Sequence, residues 1–207
     1  MSRVTAHMSM SLDGFVAGPN QSQEHPLGHG GMSLHEWHLH ADEPGYEAGI
    51  PARDELLRPM GAYVMGRNMF GPIRGPWSED WRGWWGDEPP YHAPVFVLTH
   101  HEREPVEMAG GTTFHFVTEG FDVALARAKE VAGDMDVDIA GGASAVRQAL
   151  QSGALDDLYL DIVPVLLGAG ESMFTGVPDP GLAPIEVAPS PHATHVHYRV
   201  DRDRKGT

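Results

Sequence analysis

Four short, widely spaced segments constrain this chain more than any other feature. They are Met8–Gly18 (MSMSLDGFVAG), Val64–Met69 (VMGRNM), Val95–His100 (VFVLTH) and Ile139–Ser144 (IAGGAS). Each joins an apolar, strand-like run to a turn rich in Gly, Arg, Ser or Thr. The run can supply a buried strand. The turn leaves backbone N–H groups and small side chains at that strand's carboxyl end, where open α/β sheets bind their ligands. Four such ends in one chain point to a large anionic ligand of the dinucleotide kind.

Composition narrows the alternatives. The chain has 207 residues, 41% of them hydrophobic, enough for one substantial core. One domain over 1–200 is expected, with a charged tail over 201–207. No run of about 18 apolar residues occurs, so no membrane span is expected. The N-terminus has no basic stretch leading into a long apolar one, so a cytoplasmic setting is expected. With no cysteine, disulfides, thiolate metal sites and a Cys nucleophile are excluded. The balance of 29 Asp plus Glu against 14 Lys plus Arg, a net charge of −15, argues against a nucleic-acid partner.

Strand-like and helical patterns alternate along the chain. Strands are expected at Arg3–Ser11, Tyr63–Met65, Pro94–Thr99, Thr112–Val117, Val137–Ala140, Leu158–Val165 and His195–Val200, with a short extended piece at Phe15–Ala17. Helical spacing marks Arg53–Met60, Phe121–Ala132 and Ala143–Ser152, the last with Gly153 placed to cap it. Asn68–Ile73 reads as a helix start or turn. Gly18–Asp42 reads as a long loop holding five of the thirteen histidines, and loops of that length are usually lids or binding segments. The alternation predicts an α/β fold with a mainly parallel central sheet, flanked by helices, ending in an antiparallel strand or pair.

Three of the turns could hold phosphate. Gly141-Gly142 lets the chain turn sharply and lets an anion approach a helix N-terminus, with Ser144 adding a hydroxyl. An ordinary strand-to-helix turn would have the same sequence. Arg67 after Gly66 offers a planar fork to a pyrophosphate, or pairs with one of the many surface acids. Thr99-His100-His101-Glu102-Arg103 suits an adenosine 2′-phosphate, although Glu102 leaves a solvated turn equally open. The dinucleotide fingerprint G-x-G-x-x-G is absent: Gly168 and Gly170 begin one, but Met173 stands at its third glycine. The P-loop pattern is absent too.

In this order and at this spacing, the segments resemble the dihydrofolate reductase fold. They are more closely similar to the dihydrofolate reductase-like proteins related to the reductase domain of riboflavin biosynthesis. Ser11–Asn20, Val64–Arg67, Asp138–Gly142 and Ile162–Glu171 match that group's four motifs, and the likeness runs from Val4 to Phe174. It implies NADPH extended across the sheet, a small-molecule substrate and a homodimer. Carried over residue by residue, the backbone near Ala6 and the Val16–Ala17 stretch would contact the nicotinamide end. Gly66, Arg67, Asn68 and Met69 would face the phosphates. Leu98, Thr99 and His100 would hold the adenosine side. The strand end at Ile139 and the turn of Gly141, Gly142, Ala143, Ser144 and Ala145 would hold the pyrophosphate.

The activity implied is an NADPH-dependent reduction of a C=N or C=O bond in a small, heterocyclic substrate. The alternative is an NADP-binding module without turnover. Asp54, on the helix before Gly66, is the candidate catalytic carboxylate, against the plainer possibility of a solvated helix-start acid. Arg53 and Arg58 are weak candidates for gripping a substrate anion. His35 and His38 could supply a proton near neutral pH. No metal is expected, because H-x-x-H-x-H at His35, His38 and His40 fits no recognised ligand spacing. Trp77, Trp81, Trp84 and Trp85 could wall a heterocycle, staple a long loop or form a subunit contact.

Overall fold

Period-2 apolar alternation and the Val/Phe-rich runs assemble into one nine-stranded sheet. The computed structural model describes residues 2–201, so 202–207 of the expected tail lie outside the described residues. In chain order the strands are β1 (Val4–Ser11), β2 (Phe15–Ala17), β3 (Ala62–Gly66), β4 (Pro94–Leu98), β5 (Val106–Glu107), β6 (Thr113–Val117), β7 (Val137–Gly141), β8 (Asp157–Val163), β9 (Glu171–Ser172), β10 (Leu182–Pro189) and β11 (Thr194–Val200). The helices are α1 (Glu36–Leu39), α2 (Ile50–Leu56), α3 (Arg67–Phe70), α4 (Phe121–Ala132) and α5 (Ala143–Ser152). The sheet order is β10-β11-β8-β1-β7-β3-β4-β6-β5, and β2 pairs with β9 in a separate ribbon. All neighbours from β8 to β6 run parallel. The β10–β11, β11–β8 and β5–β6 pairs run antiparallel. This is the expected α/β class, mainly parallel with a C-terminal antiparallel pair.

One face of the sheet is covered by α4 and α5. Both place small or apolar residues at helical spacing. Phe121, Ala124, Leu125, Ala128 and Ala132 of α4, with Ala145, Val146, Ala149 and Leu150 of α5, meet Ala6, Met8, Val64, Ile139 and Leu158 of the sheet. Gly153, left-handed at φ 71°, ends α5, as its position predicts. On the other face, Met65, Phe70, Trp77, Val95, Val97 and Phe114 form a second cluster over β3, β4 and β6. Leu34, Trp37, Val163 and Ala193 form a third over β8 and β11.

The expected elements need several corrections. Gly18–Asp42 is not all loop: a 3-10 turn at Gly31–Leu34 and α1 lie inside it, anchored by Trp37, which is 1% exposed. The helix expected over Arg53–Met60 is α2, which starts three residues and ends four residues earlier, because Pro51 favours a first helical turn and Pro59 disfavours continuation. β8 stops at Val163, before Pro164, rather than at Val165. The sequence reading contains no strand at β5, β9 or β10. Two of these span only two residues, and β10 carries Pro184 and Pro189, which suit a sheet edge and hide a strand pattern.

Alternation on β1, β8 and β11 has a further result. Thr5, His7 and Ser9 point to the face opposite α5, as do Asp157, Asp161, His195 and His197. That face is covered, so these polar side chains are buried or nearly so. They satisfy one another: Thr5 Oγ1 donates to Asp138 Oδ1 at 2.9 Å, and His197 Nε2 donates to Asp157 Oδ1 at 2.9 Å.

Candidate active site

The carboxyl ends of β3, β4, β6 and β7 open into a single cleft of about 840 Å³. At the first of these ends, Gly66, Arg67, Asn68 and Met69 line the wall. A Cβ at Gly66 would sit 3.5 Å from the Gly142 amide nitrogen, so the two glycine turns touch. The Arg67 guanidinium stacks over Trp77 at 4.0 Å and donates to the carbonyls of Ile73 and Gly75 and to Thr99 Oγ1. Arg67 therefore faces the cleft and also pins the 71–77 segment. At the end of β4, Leu98, Thr99 and His100 line the rim. Arg103 does not. It turns to the carbonyls of Glu79 and Trp81, where Phe70 and Phe116 offer ring faces.

The β7–α5 turn forms the floor. Gly142, Ala143, Ser144 and Ala145 line it, and a Cβ on Gly142 would meet nothing within 4 Å. An anion can thus approach the first turn of α5, where unsatisfied amides and the positive end of the helix dipole lie. Val16 and Ala17 of β2 also line the cleft. Ala6, Ile139 and Gly141 do not reach its surface: the first two point into the α4/α5 core at 0% exposure. Gly141, at φ 108°, lies beneath Met8, whose sulfur would be 3.2 Å from a Cβ there. The other residues expected to hold the cofactor line one surface.

Beyond the glycine turns, the cleft continues over the polar face of β1. His7 and Ser9 line it there, with His35 and His38 from the α1 segment. Asp161 lies beneath, 2% exposed, accepting from His7 Nε2 at 2.8 Å and from His195 Nδ1 at 2.7 Å. Burial alone would raise its pKa, but the hydrogen bonds from His195 and His7 outweigh it and hold the carboxyl below its usual range. Since an ionised carboxylate only accepts, His7 Nε2 carries a hydrogen and Nδ1 is the open nitrogen. His35 Nδ1 and His38 Nε2 are 3.1 Å apart. Burial pushes both imidazoles down to about 4, with their mutual repulsion adding to the effect on His35. Both are uncharged at neutral pH.

The structure does not bring Asp54 to this cleft. It sits on the outer side of α2, its carboxylate 63% exposed and paired with Arg53 at 2.9 Å. Arg53 also binds Asp42, and Arg58 binds Glu55 and Asp136. None of the three lines the cleft. His40 pairs with Glu43, apart from His35 and His38. Among the described residues no three His, Asp or Glu side chains are disposed to hold a metal ion. The tryptophans divide: Trp77 and Trp81 donate to the Gly71 and Phe70 carbonyls, while Trp84 and Trp85 line the cleft.

Sequence reasoning passed over His7 and Asp161. Their signal was present: Thr5, His7, Ser9 and Ser11 alternate with apolar residues, as do Asp157, Tyr159 and Asp161. Such alternation ordinarily denotes a solvated face. Only the covering by Trp37 and α1, which no local pattern announces, makes it an interior one.

Comparison with known proteins places this geometry in a lineage. The family model of the RibD C-terminal domain matches residues 2–196, and the chain belongs to that family. The comparison with curated proteins returned no match. Among solved structures, a riboflavin biosynthesis protein from Shewanella sp. PV-4 is 22% identical, with a TM-score of 0.60 over 98% of this chain and 100% of that one. A Thermotoga maritima diaminohydroxyphosphoribosylaminopyrimidine deaminase/5-amino-6-(5-phosphoribosylamino)uracil reductase is 15% identical, with a TM-score of 0.57 over 97% of this chain and 57% of that one. Dihydrofolate reductase from Enterococcus faecalis, complexed with NADP(H), is 13% identical, with a TM-score of 0.53 over 95% of each chain. The fold is dihydrofolate reductase-like.

Proposed function

We propose that this chain is an NADPH-dependent reductase of a small heterocyclic substrate. The observation that carries this reading is the meeting of Arg67 and Gly142 on one cleft, at the N-terminus of α5. Three features fit a dinucleotide: an open floor at Gly142, a helix N-terminus aimed at it, and a guanidinium beside it. Arg67, Ser144 and the first-turn amides of α5 would hold the pyrophosphate. Thr99 and His100 would hold the adenosine side, and Val16 and Ala17 would border the nicotinamide. When bound, NADPH supplies a hydride to the carbon of a C=N or C=O bond.

The chain's own residues supply the rest. The cleft walls orient the substrate and exclude water. Because Asp54 stands outside the cleft, the proton for the substrate heteroatom is assigned to His7. Protonated on both nitrogens, the His7 ring would give its Nδ1 proton to the substrate and keep its Nε2 hydrogen on Asp161, whose negative charge favours the protonated ring. Solvent then restores the proton. A non-catalytic NADP-binding module would share every phosphate contact, but the imidazoles beside the cofactor end favour turnover. Family membership and the named reductases among its structural relatives agree with this reading.

The experiment is a titration with NADPH and NADH, followed by energy transfer from Trp84 and Trp85. NADPH is expected to bind more tightly than NADH, and less tightly as salt rises. Arg67→Ala should weaken NADPH binding by roughly 1.5–3 kcal/mol, the range for a charged hydrogen bond. An unchanged dissociation constant would remove Arg67 from the site. We further propose a homodimer joined along β10, the sheet's open edge, where Ile185 and Val187 are 48% and 60% exposed. Sedimentation should then show a dimer that Val187→Lys dissociates; a monomeric wild-type protein would refute it.

A further inference from the structure

Two charged side chains, Arg147 and Glu171, line the cleft where α5 meets the β2–β9 ribbon. Arg147 stands one turn beyond Ser144, on the same face of α5. Its guanidinium donates to the Ser172 carbonyl of β9. Glu171 precedes Ser172 and pairs with Ala17 of β2. Helix and ribbon are thus joined at this point, with Glu171 flanked by Ala17 on one side and Arg147 on the other.

The Glu171 carboxylate keeps its hydrogen-bonding capacity. Arg147 Nη2 is 4.0 Å from its Oε2, close enough to offset charge but beyond hydrogen-bond reach. Among the described residues the carboxylate has no other ion pair and accepts no hydrogen bond. The side chain is 48% exposed and the Arg147 side chain 22%. Gly170 makes the approach possible, since a Cβ there would lie 2.0 Å from the Ala17 carbonyl oxygen. In a chain of net charge −15, an acid on the wall of a site for an anionic ligand would by itself weaken binding.

We infer that Glu171 accepts hydrogen bonds from the two hydroxyls of the ribose that carries the nicotinamide, with Arg147 offsetting its charge. The inference rests on the reductase reading for the presence of a dinucleotide. Covalent order sets this ribose between the pyrophosphate and the nicotinamide. With the pyrophosphate at the first turn of α5 and the nicotinamide beside Val16 and Ala17, the ribose falls to the stretch of wall that Arg147 and Glu171 form. Its adjacent hydroxyls are paired donors, and the two oxygens of an ionised carboxylate accept both. Bonds of this kind, with a charged acceptor, are the stronger class.

A bystander acid and a ribose acceptor predict opposite signs. Calorimetry at neutral pH and low salt compares three ligands on wild type and Glu171→Ala. They are NADP⁺, 2′-phospho-ADP-ribose, which replaces the nicotinamide by a hydroxyl, and adenosine 2′,5′-bisphosphate, which also lacks the second ribose and its phosphate. Glu171→Ala should weaken NADP⁺ and 2′-phospho-ADP-ribose by about five- to tenfold and leave adenosine 2′,5′-bisphosphate unchanged or slightly tighter. An acid that merely repels the cofactor would, once removed, tighten all three ligands, most of all at low salt. That result, or an unchanged affinity for NADP⁺, would overturn the inference and leave the reductase reading standing. So would an equal loss of all three ligands, the mark of a displaced ribbon, or a loss confined to NADP⁺, which would move the contact to the nicotinamide ring. Wild-type protein that binds no NADP⁺ would overturn both.

Discussion

Asp138 shows how a single buried carboxyl ties this fold to pH. It lies on β7, 7% exposed, accepting from Thr5 Oγ1. Burial pushes its pKa up from 3.8 to about 6, against the opposing help of Thr5, His7 and Arg58. An acid whose folded pKa lies above its unfolded one binds more protons when folded. Stability therefore falls as pH rises from about 4 to about 6, and the full loss persists above that window. Asparagine keeps the shape and carries no charge. Asp138→Asn should be more stable than wild type at pH 7.5 by on the order of 1–3 kcal/mol, with the gain disappearing below about pH 4. Urea unfolding at the two pH values checks this. A gain that is absent at pH 7.5, or that grows at low pH, would contradict it. Asp161 has the opposite sign: two imidazole donors hold its pKa down, so its contribution is present at neutral pH and is lost as pH falls through that lowered value.

At the scale of elements, the strand-turn units around the two glycine turns could be read from sequence because each is local. A mostly apolar strand, a glycine and a helix start are contiguous in β3–α3 and β7–α5, and α4 and α5 begin and end where their periodicity says. The histidine-lined end of the cleft could not be read this way. It depends on α1 and α2 lying over β1 and β8, residues distant in sequence, and on polar alternation that ordinarily marks solvent. Asp54 has the right residue type on roughly the right helix, yet its position on α2 turns it outward to Arg53. The β2–β9 ribbon is a second non-local device. Gly170, at φ 139°, lets Glu171 approach β2, and a Cβ there would lie 2.0 Å from the Ala17 carbonyl oxygen. Gly170→Ala should destabilise the protein by about 1–3 kcal/mol or more and loosen Val16 and Ala17 at the cleft wall. Thermal unfolding is the readout, and an unchanged midpoint would show that the ribbon yields without loss.

Across the whole molecule, charge and shape are divided between the two ends of one cleft. A chain of net charge −15 gathers Arg67, Arg147 and the N-terminus of α5 at one end, and sets uncharged imidazoles above a buried carboxylate at the other. No helix among the described residues is long and apolar enough to cross a membrane. Under the proposed reading, the anionic cofactor would take the first end. The most direct measurement is a crystal structure of the protein with NADP⁺. Its pyrophosphate should lie within hydrogen-bond distance of the amides at Ala143 and Ser144 and of the Arg67 guanidinium, with the nicotinamide beside Val16 and Ala17 and facing His7. A nucleotide bound on any other surface, or lying in the cleft with its phosphates away from the Gly142 turn, would contradict the assignment.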